Sequence, residues 1–239
     1  MKTSRILVWD LPLRVFHWLL AISFVGAFLT AESERVRDVH VVLGYTVLGL
    51  LAFRLLWGFL GTRHARWSSF AYGPGAVLRY LRSLLSRRPD HYVGHNPAGS
   101  WVIYFMVVLG LVAGVSGYAV YHDLGGKWTE SLHEGAANAM LALVLVHVAG
   151  VVVSSLMHRE NLVAAMLTGR KFGSPQDAIG GTRWVTALAL AAGVALLWSG
   201  VVEIPGLPAP AAQAANTKHQ GADRSAAHRK VYRQSKHDS

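Results

Sequence analysis

Long apolar stretches alternate with short polar connections along this chain of 239 residues. Five of the stretches are each roughly 20 residues long, the length an α-helix needs to cross the hydrocarbon core of a bilayer. They cover residues 13–30, 39–60, 100–121, 132–157 and 184–202. The pattern predicts an all-α integral membrane protein, in which the first four spans form a four-helix bundle and a fifth transmembrane helix is added.

The same pattern divides the chain into three parts. We expect a four-helix domain over residues 1–173, a linker and the fifth transmembrane helix over 174–203, and a polar tail over 204–239. The tail begins with an alanine- and proline-rich stretch and ends with basic residues. It is too polar to build a core, so we expect it to be disordered.

The first span begins with helix-start signals. Asp10 can cap the free amides of the first turn, where Pro12 is also tolerated. Arg14 and His17 lie inside the span, and no small-residue cleavage site follows it. We therefore expect this span to remain in the mature protein and not to act as a signal peptide.

Composition restricts the cofactor chemistry. The chain has no cysteine, which excludes disulfides, iron–sulfur clusters, thiolate zinc sites and covalently attached c-type haem. It has 12 histidines but only 13 acidic residues against 23 lysines and arginines. Any cofactor must therefore be held by histidine, carboxylate or methionine. In a membrane protein, the excess of basic residues indicates first of all which connections face the cytoplasm.

Positive charge is concentrated in one connection. Residues 61–99 carry Arg63, Arg66, Arg79, Arg82, Arg87 and Arg88, whereas the connections 31–38 and 122–131 carry only Arg35, Arg37 and Lys127. Because basic connections stay in the cytoplasm, the amino terminus is predicted to be cytoplasmic. Five spans would place the carboxyl terminus in the periplasm, with the protein in a bacterial inner membrane.

Four histidines lie in the spans or at their ends, where ionisable groups are costly and usually mark function: His17, His40, His133 and His147. His133 and His147 are 14 residues apart, which is about 21 Å of rise and close to four full helical turns, so both face the same way. The topology matches His147 in depth with His17, and His133 with His40. We call these the inner pair and the outer pair.

Two imidazoles facing each other at one depth are what a six-coordinate haem b requires as axial iron ligands. Zinc or copper would need three or four ligands at one depth, and no carboxylate or third histidine accompanies either pair. The sequence therefore predicts two haems b. In the simpler alternative, each histidine only forms a hydrogen bond to a neighbouring helix.

Small residues accompany the histidines. Gly44 follows His40 by four residues and Gly150 follows His147 by three, so both lie on the ligand faces, where a flat macrocycle must approach the backbone. Three further glycines recur at helical spacing in the third span, and we interpret them as sites of close helix packing: Gly110, Gly114 and Gly117.

Two arginines are positioned to bind haem propionates. Arg54 follows His40 by 14 residues, which places it on the same face at the depth of the inner pair, and Arg14 lies about one turn before His17. Alternatively, these side chains extend to the membrane interface without a cofactor.

Several short motifs resemble the prokaryotic cytochrome b561 family, which includes the b-type cytochrome subunits of nickel–iron hydrogenases. The resemblance covers about residues 5–173. It is carried by Val8-Trp9-Asp10 with Arg14, His17 and Trp18; His40 with Gly44-Tyr45; Arg54 with Trp57-Gly58; the turn Gly94-His95-Asn96-Pro97; His133-Glu134; and His147.

The resemblance implies a four-helix cytochrome with two haems b, held by the same pairs, that exchanges electrons with the quinone pool. We take His95 and Asn96, in the turn before the third span, as candidate quinone-binding residues. The fifth span departs from the four-span members of the family.

The sequence leaves three functions to distinguish. The favoured one is electron relay between quinone and a periplasmic redox protein, such as a cytochrome c or a hydrogenase-like enzyme. The alternative is a superoxide oxidase that passes electrons to quinone, but the basic residues near the outer pair are balanced by acidic ones. A haem-free transporter would show broken helices or a polar pore. Membrane lipid is expected as a further partner, and nucleic acid is not.

Overall fold

The computed structural model describes residues 4–86 and 90–201. The helices are α1 (Leu11–Thr30), α2 (Arg37–Leu60), α3 (Pro74–Leu85), α4 (Pro97–Tyr121), α5 (Lys127–His158), α6 (Leu162–Thr168) and α7 (Trp184–Trp198). Two strands, β1 (Ser4–Leu7) and β2 (Arg170–Gly173), form an antiparallel ribbon in which Ser4 lies opposite Gly173. Single turns of 3₁₀-helix cover Glu34–Val36, Trp67–Ser69 and Pro175–Asp177.

Four helices, α1, α2, α4 and α5, are long and apolar enough to cross a membrane. They correspond to the first four predicted spans, and each begins two to five residues earlier than predicted. Polar residues at two of these starts act as caps. Asp10 Oδ1 accepts a hydrogen bond from the amide of Leu13 at 2.9 Å, as predicted, and Asn96 Oδ1 accepts one from Gly99 at 2.7 Å.

The predicted fifth span begins where α7 begins, at Trp184. The described helix has 15 residues and rises about 22 Å, which is less than the ~30 Å hydrocarbon core of a bilayer. A fifth transmembrane helix therefore stays a prediction. The tail predicted over 204–239 lies outside the described residues.

Neighbouring spans pack in chain order. α1 packs along α2, α2 along α4, and α4 along α5. Glycines make the α2–α4 contact close, as predicted: a Cβ on Gly110 would lie 2.7 Å from a methyl of Leu51, and one on Gly114 would lie 2.9 Å from a methyl of Leu48. In the described chain α1 and α5 are not packed along their lengths.

A compact core closes the bundle at the end where α1 begins. Its buried apolar residues come from β1, α1, α2, α6 and the connections beside them: Ile6, Val8, Trp9, Leu13, Phe16, Leu50, Ala65 and Ala165. The β1–β2 ribbon, α3 and α6 are absent from the sequence prediction, because each is too short to show as a long apolar stretch. The all-α prediction thus missed two strands of four residues each.

Asp10 connects α1 to α2. Its carboxylate is fully buried and accepts hydrogen bonds from Trp57 Nε1 at 3.1 Å and from Thr62 Oγ1 at 2.6 Å, in addition to the capping bond. Three donors compensate for removing this carboxylate from water. The start of α1 and the end of α2 are therefore joined through one side chain.

We expect Asp10→Ala to lower the free energy of unfolding by about 2–4 kcal/mol, since it removes a helix cap and leaves two buried donors unpaired. Thermal unfolding in detergent, followed by circular dichroism, measures the effect. Asp123→Asn is the matched control, because Asp123 is exposed and has a positive φ of 54° that asparagine also tolerates. Equal stability of Asp10→Ala and the parent would contradict this role.

Candidate functional site

The four span histidines meet as two facing pairs. The ring centroids of His17 on α1 and His147 on α5 are 6.3 Å apart, and those of His40 on α2 and His133 on α5 are 6.1 Å apart. The structure thus brings together the same partners that the sequence analysis paired. Both pairs lie where α5 faces α1 and α2 across the bundle.

These distances suit one metal ion between the rings of each pair. A ligating imidazole nitrogen lies about 2 Å from its metal, and the ring centre lies about 1 Å farther, so two axial imidazoles have centroids about 6 Å apart. Within residues 4–86 and 90–201, no cluster of three or more His, Asp or Glu residues could hold a metal ion. A macrocycle that supplies four equatorial nitrogens therefore suits a pair better than a bare ion does.

Backbone carbonyls fix both rings of the outer pair. His40 Nδ1 lies 2.8 Å from the carbonyl oxygen of Ala27 on α1, and His133 Nδ1 lies 2.8 Å from that of Ala113 on α4. Because a carbonyl only accepts, each Nδ1 carries the hydrogen and each Nε2 keeps a free lone pair. This is the tautomer that binds a metal through Nε2, oriented by its second hydrogen bond.

The inner pair lacks such support. The Nδ1 atom of His17 is buried and has no hydrogen-bond partner, and His147 makes no hydrogen bond to any described residue. The imidazoles of the inner pair are therefore held by packing, with the indole of Trp18 5.2 Å from the His17 ring in an edge-on arrangement.

Glycines line both pairs. A Cβ on Gly44 or on Gly150 would meet no atom within 4 Å, so neither helix face is closed by a neighbouring side chain at these positions. Gly117 has a role that sequence reasoning missed, since a Cβ there would lie 2.8 Å from Cε1 of His133. It is needed for the histidine ring to lie against α4, and its spacing alone indicated only helix packing.

Arg54 is almost fully buried, with 2% of its surface exposed. Its guanidinium lies 4.0 Å above the ring of Trp67 and 5.7 Å from that of Phe70, and its Nη1 atom is buried without a partner. Arg14 donates a hydrogen bond to the carbonyl of Leu167 in α6, and its Nε atom is likewise buried and unpartnered. Each arginine thus keeps a donor that a carboxylate ligand such as a propionate could use.

The two candidate quinone residues differ in their surroundings. The Asn96 side-chain oxygen is already used to cap α4. The His95 ring packs between Trp9, at a centroid distance of 4.7 Å, and Phe70, at 4.5 Å, and its Nδ1 atom is buried and unpartnered. Burial, with a contribution from the Arg54 charge, lowers the pKa of His95 to about 3, so the ring is neutral at physiological pH.

Four apolar helices with facing imidazole pairs define a membrane cytochrome. The chain belongs to the prokaryotic cytochrome b561 family, whose family model matches residues 8–169. Membership in this family of b-type cytochromes implies a haem b cofactor and a role in electron transport in a membrane. The paired histidines, the glycines and the unpartnered arginine donors fit such a group.

Curated relatives carry a consistent description. A probable Ni/Fe-hydrogenase B-type cytochrome subunit of Rhizobium leguminosarum bv. viciae is 24% identical, over 71% of this chain and 90% of the relative. The corresponding protein of Azotobacter vinelandii is 27% identical, over 70% and 89%. A probable Ni/Fe-hydrogenase 1 B-type cytochrome subunit of Escherichia coli K12 is 24% identical, over 48% and 60%. No solved structure matches the chain.

We expect Gly44→Leu to lower the haem content of the purified protein by roughly half, because the leucine side chain would occupy space beside His40 that a bound haem would need. Gly49→Leu is the matched control: a Cβ there also meets no atom within 4 Å, but Gly49 lies on the opposite face of α2. Haem is quantified against protein by absorption. Equal haem content in the two variants would contradict the assignment of Gly44 to the cofactor face.

Proposed function

We propose that the chain is a dihaem cytochrome b that relays electrons between membrane quinone and a redox partner protein at the opposite membrane surface. The observation that carries this proposal is the presence of two facing imidazole pairs at two depths. A bound haem b supplies an iron centre that takes up and releases one electron. Two such centres, separated by about 21 Å along α5, cover most of a ~30 Å hydrocarbon core.

Different side chains would hold the two haems. His17 and His147 would hold the inner haem, and His40 and His133 the outer haem. The carbonyls of Ala27 and Ala113 would keep the outer imidazoles in the ligating tautomer. Arg54 and Arg14 would bind propionates through their unpartnered nitrogens, which would offset the cost of burying the arginine charges.

The quinone site is proposed at the inner haem, at the turn that precedes α4. A neutral His95 can donate a hydrogen bond from one ring nitrogen to a quinone carbonyl and accept one from a quinol hydroxyl at the other. The Asn96 side-chain oxygen is engaged as a cap, so only its amide nitrogen is left to donate to a quinone carbonyl. Arg54 adds a positive charge beside His95, which favours an anionic reduced quinone.

The redox partner is proposed to dock at the outer haem. The names of the curated relatives assign them to Ni/Fe-hydrogenases, so a hydrogenase-like enzyme is the first candidate, with a cytochrome c as the second. The basic connection 61–99 supports a cytoplasmic location for the inner haem. The outer haem would then lie on the periplasmic side of the inner membrane. The tail would lie on that side too, since it follows a fifth span.

His17→Ala and His147→Ala should each remove the inner haem, and His40→Ala and His133→Ala the outer one. Each substitution would delete one of the two imidazoles proposed to hold a haem, so the haem-to-protein ratio should fall from about two to about one. His91→Ala serves as the control, because its half-exposed ring lies in the connection before α4. The pairing would be wrong if a His17→Ala/His40→Ala double variant kept one full haem. Absence of b-type bands from the reduced parent protein would refute the function itself.

His95→Ala should slow reduction of the haems by quinol at least roughly tenfold, since it removes a proposed hydrogen-bond partner that positions the quinol head group. Reduction by dithionite should be unchanged, because dithionite does not need the quinone site. Stopped-flow absorption measures both rates. Equal rates of haem reduction by quinol in the variant and the parent would show that quinone does not bind at His95.

The outer haem should have the lower midpoint potential. Hydrogen bonds from Nδ1 to carbonyls make the outer imidazoles more basic and favour oxidised iron, whereas the buried charge of Arg54 at the inner depth favours reduced iron. A redox titration of the parent should show two steps, and His40→Ala should lose the lower one. Loss of the step at higher potential in His40→Ala would contradict this prediction, because it would assign the higher midpoint potential to the outer haem.

A further inference from the structure

Helix α3 presents a partly exposed apolar stripe. Tyr80 is buried against the bundle, with 2% of its surface exposed, whereas Leu78, Leu81 and Leu85 are 49%, 45% and 86% exposed. Residues spaced by three, four and seven positions share one face of a helix. The three leucines therefore form one stripe, which we call the leucine stripe, on the side of α3 away from its buried tyrosine.

The segment leading into α3 lies beside the first turns of α4. Trp101 Nε1 donates a hydrogen bond to the carbonyl of Tyr72 at 2.9 Å, and the Tyr104 hydroxyl donates to that of Trp67 at 3.2 Å. Trp101 and Tyr104 lie about 6 and 10 Å along α4 from its start. Tryptophan and tyrosine concentrate at this depth, where the hydrocarbon of a membrane meets its headgroups. The leucine stripe is thus next to the membrane interface.

Positive charge flanks the leucine stripe. Arg79 and Arg82 are exposed, and neither forms an ion pair with a described residue. The sequence from 61 to 86 contains no acidic residue. A short helix with leucines on one face and arginines beside them suits an anionic lipid surface, because the leucines enter the acyl boundary while the arginines bind phosphates.

We propose that α3 is an interfacial helix that docks on anionic phospholipid of the leaflet at the start of α1. The leucine stripe enters the acyl boundary, and Arg79 and Arg82 bind lipid phosphates. Docking would also restrict the motion of Phe70, which packs on His95 in the candidate quinone site. Phe70 lies only four residues before α3. The lipid contact itself does not depend on haem binding.

Single-cysteine labelling tests this directly, because the natural chain has no cysteine. Leu81→Cys and the control Ser86→Cys, which is exposed and off the stripe, are spin-labelled in the full-length protein in nanodiscs. One set of nanodiscs contains phosphatidylglycerol and the other only phosphatidylcholine. In the anionic set, the label at position 81 should be shielded from a water-soluble nickel chelate roughly fivefold more than the label at 86, and should be more accessible to oxygen.

The charge contribution is tested in the same nanodiscs. Arg79→Gln/Arg82→Gln in the Leu81→Cys background should reduce shielding in anionic nanodiscs and leave it unchanged in neutral ones. Raising the salt concentration should have the same effect without any further substitution, because salt screens the arginine–phosphate attraction.

Three results would overturn the proposal. The first is equal chelate accessibility of the labels at 81 and 86 in anionic nanodiscs. The second is shielding at 81 that is insensitive to lipid charge, to salt and to the arginine substitutions. The third is shielding that rises with protein concentration, which would assign the leucine stripe to contact between copies of the chain. Loss of both haems would refute the proposed electron relay but leave these measurements unaffected.

Discussion

A polar group inside a bilayer must find its partner within the protein or in a bound ligand, because hydrocarbon offers none. This constraint explains the outer pair, whose two Nδ1 atoms both use backbone carbonyls of neighbouring helices. It also explains Arg54, which lies over the face of Trp67. Of the six buried side-chain atoms without a partner in the described chain, four belong to His17, Arg14, Arg54 and His95, on the side of the inner pair, and the other two belong to Trp18 and Tyr80. A bound cofactor and a polar substrate would supply hydrogen-bond partners for these four residues.

The two histidine pairs have different supports although they share α5. The outer rings are tied by hydrogen bonds to α1 and α4, so their orientation follows from the packing of the bundle. The inner rings have no such ties among the described residues, and aromatic and charged side chains surround them instead. The outer site is therefore built into the helices, whereas the inner site depends on residues contributed by connections such as the turn before α4.

Features set by local periodicity could be predicted from the sequence. The four spans follow from the length of apolar runs, and the approach of the histidines follows from the 14-residue spacing on α5 and the alternation of helix direction. Contacts between distant segments could not be predicted, as with the His64 ring, which is held by the carbonyl of Asp177, 113 residues away. The enclosure of His95 by Trp9 and Phe70 is of the same kind.

At Asn96 the sequence contains a helix-cap pattern, although the sequence analysis interpreted this residue as a candidate quinone ligand. An asparagine followed by proline before an apolar run is a helix-start pattern, and the structure uses the side-chain oxygen of Asn96 as a cap. The amphipathic α3 was overlooked for a related reason: its 12 residues are too few and too polar on average to stand out beside runs of 20 or more.

The β1–β2 ribbon places residue 4 opposite residue 173, just outside the two limits of the family match at residues 8 and 169. A domain whose first and last residues are adjacent can be joined to other segments at either point without pulling its core apart. The four-helix bundle thus has the geometry of an exchangeable module. Evolution, or an engineer, could append a helix after β2, insert the bundle into a host membrane protein, or permute its ends while the histidine pairs stay in place.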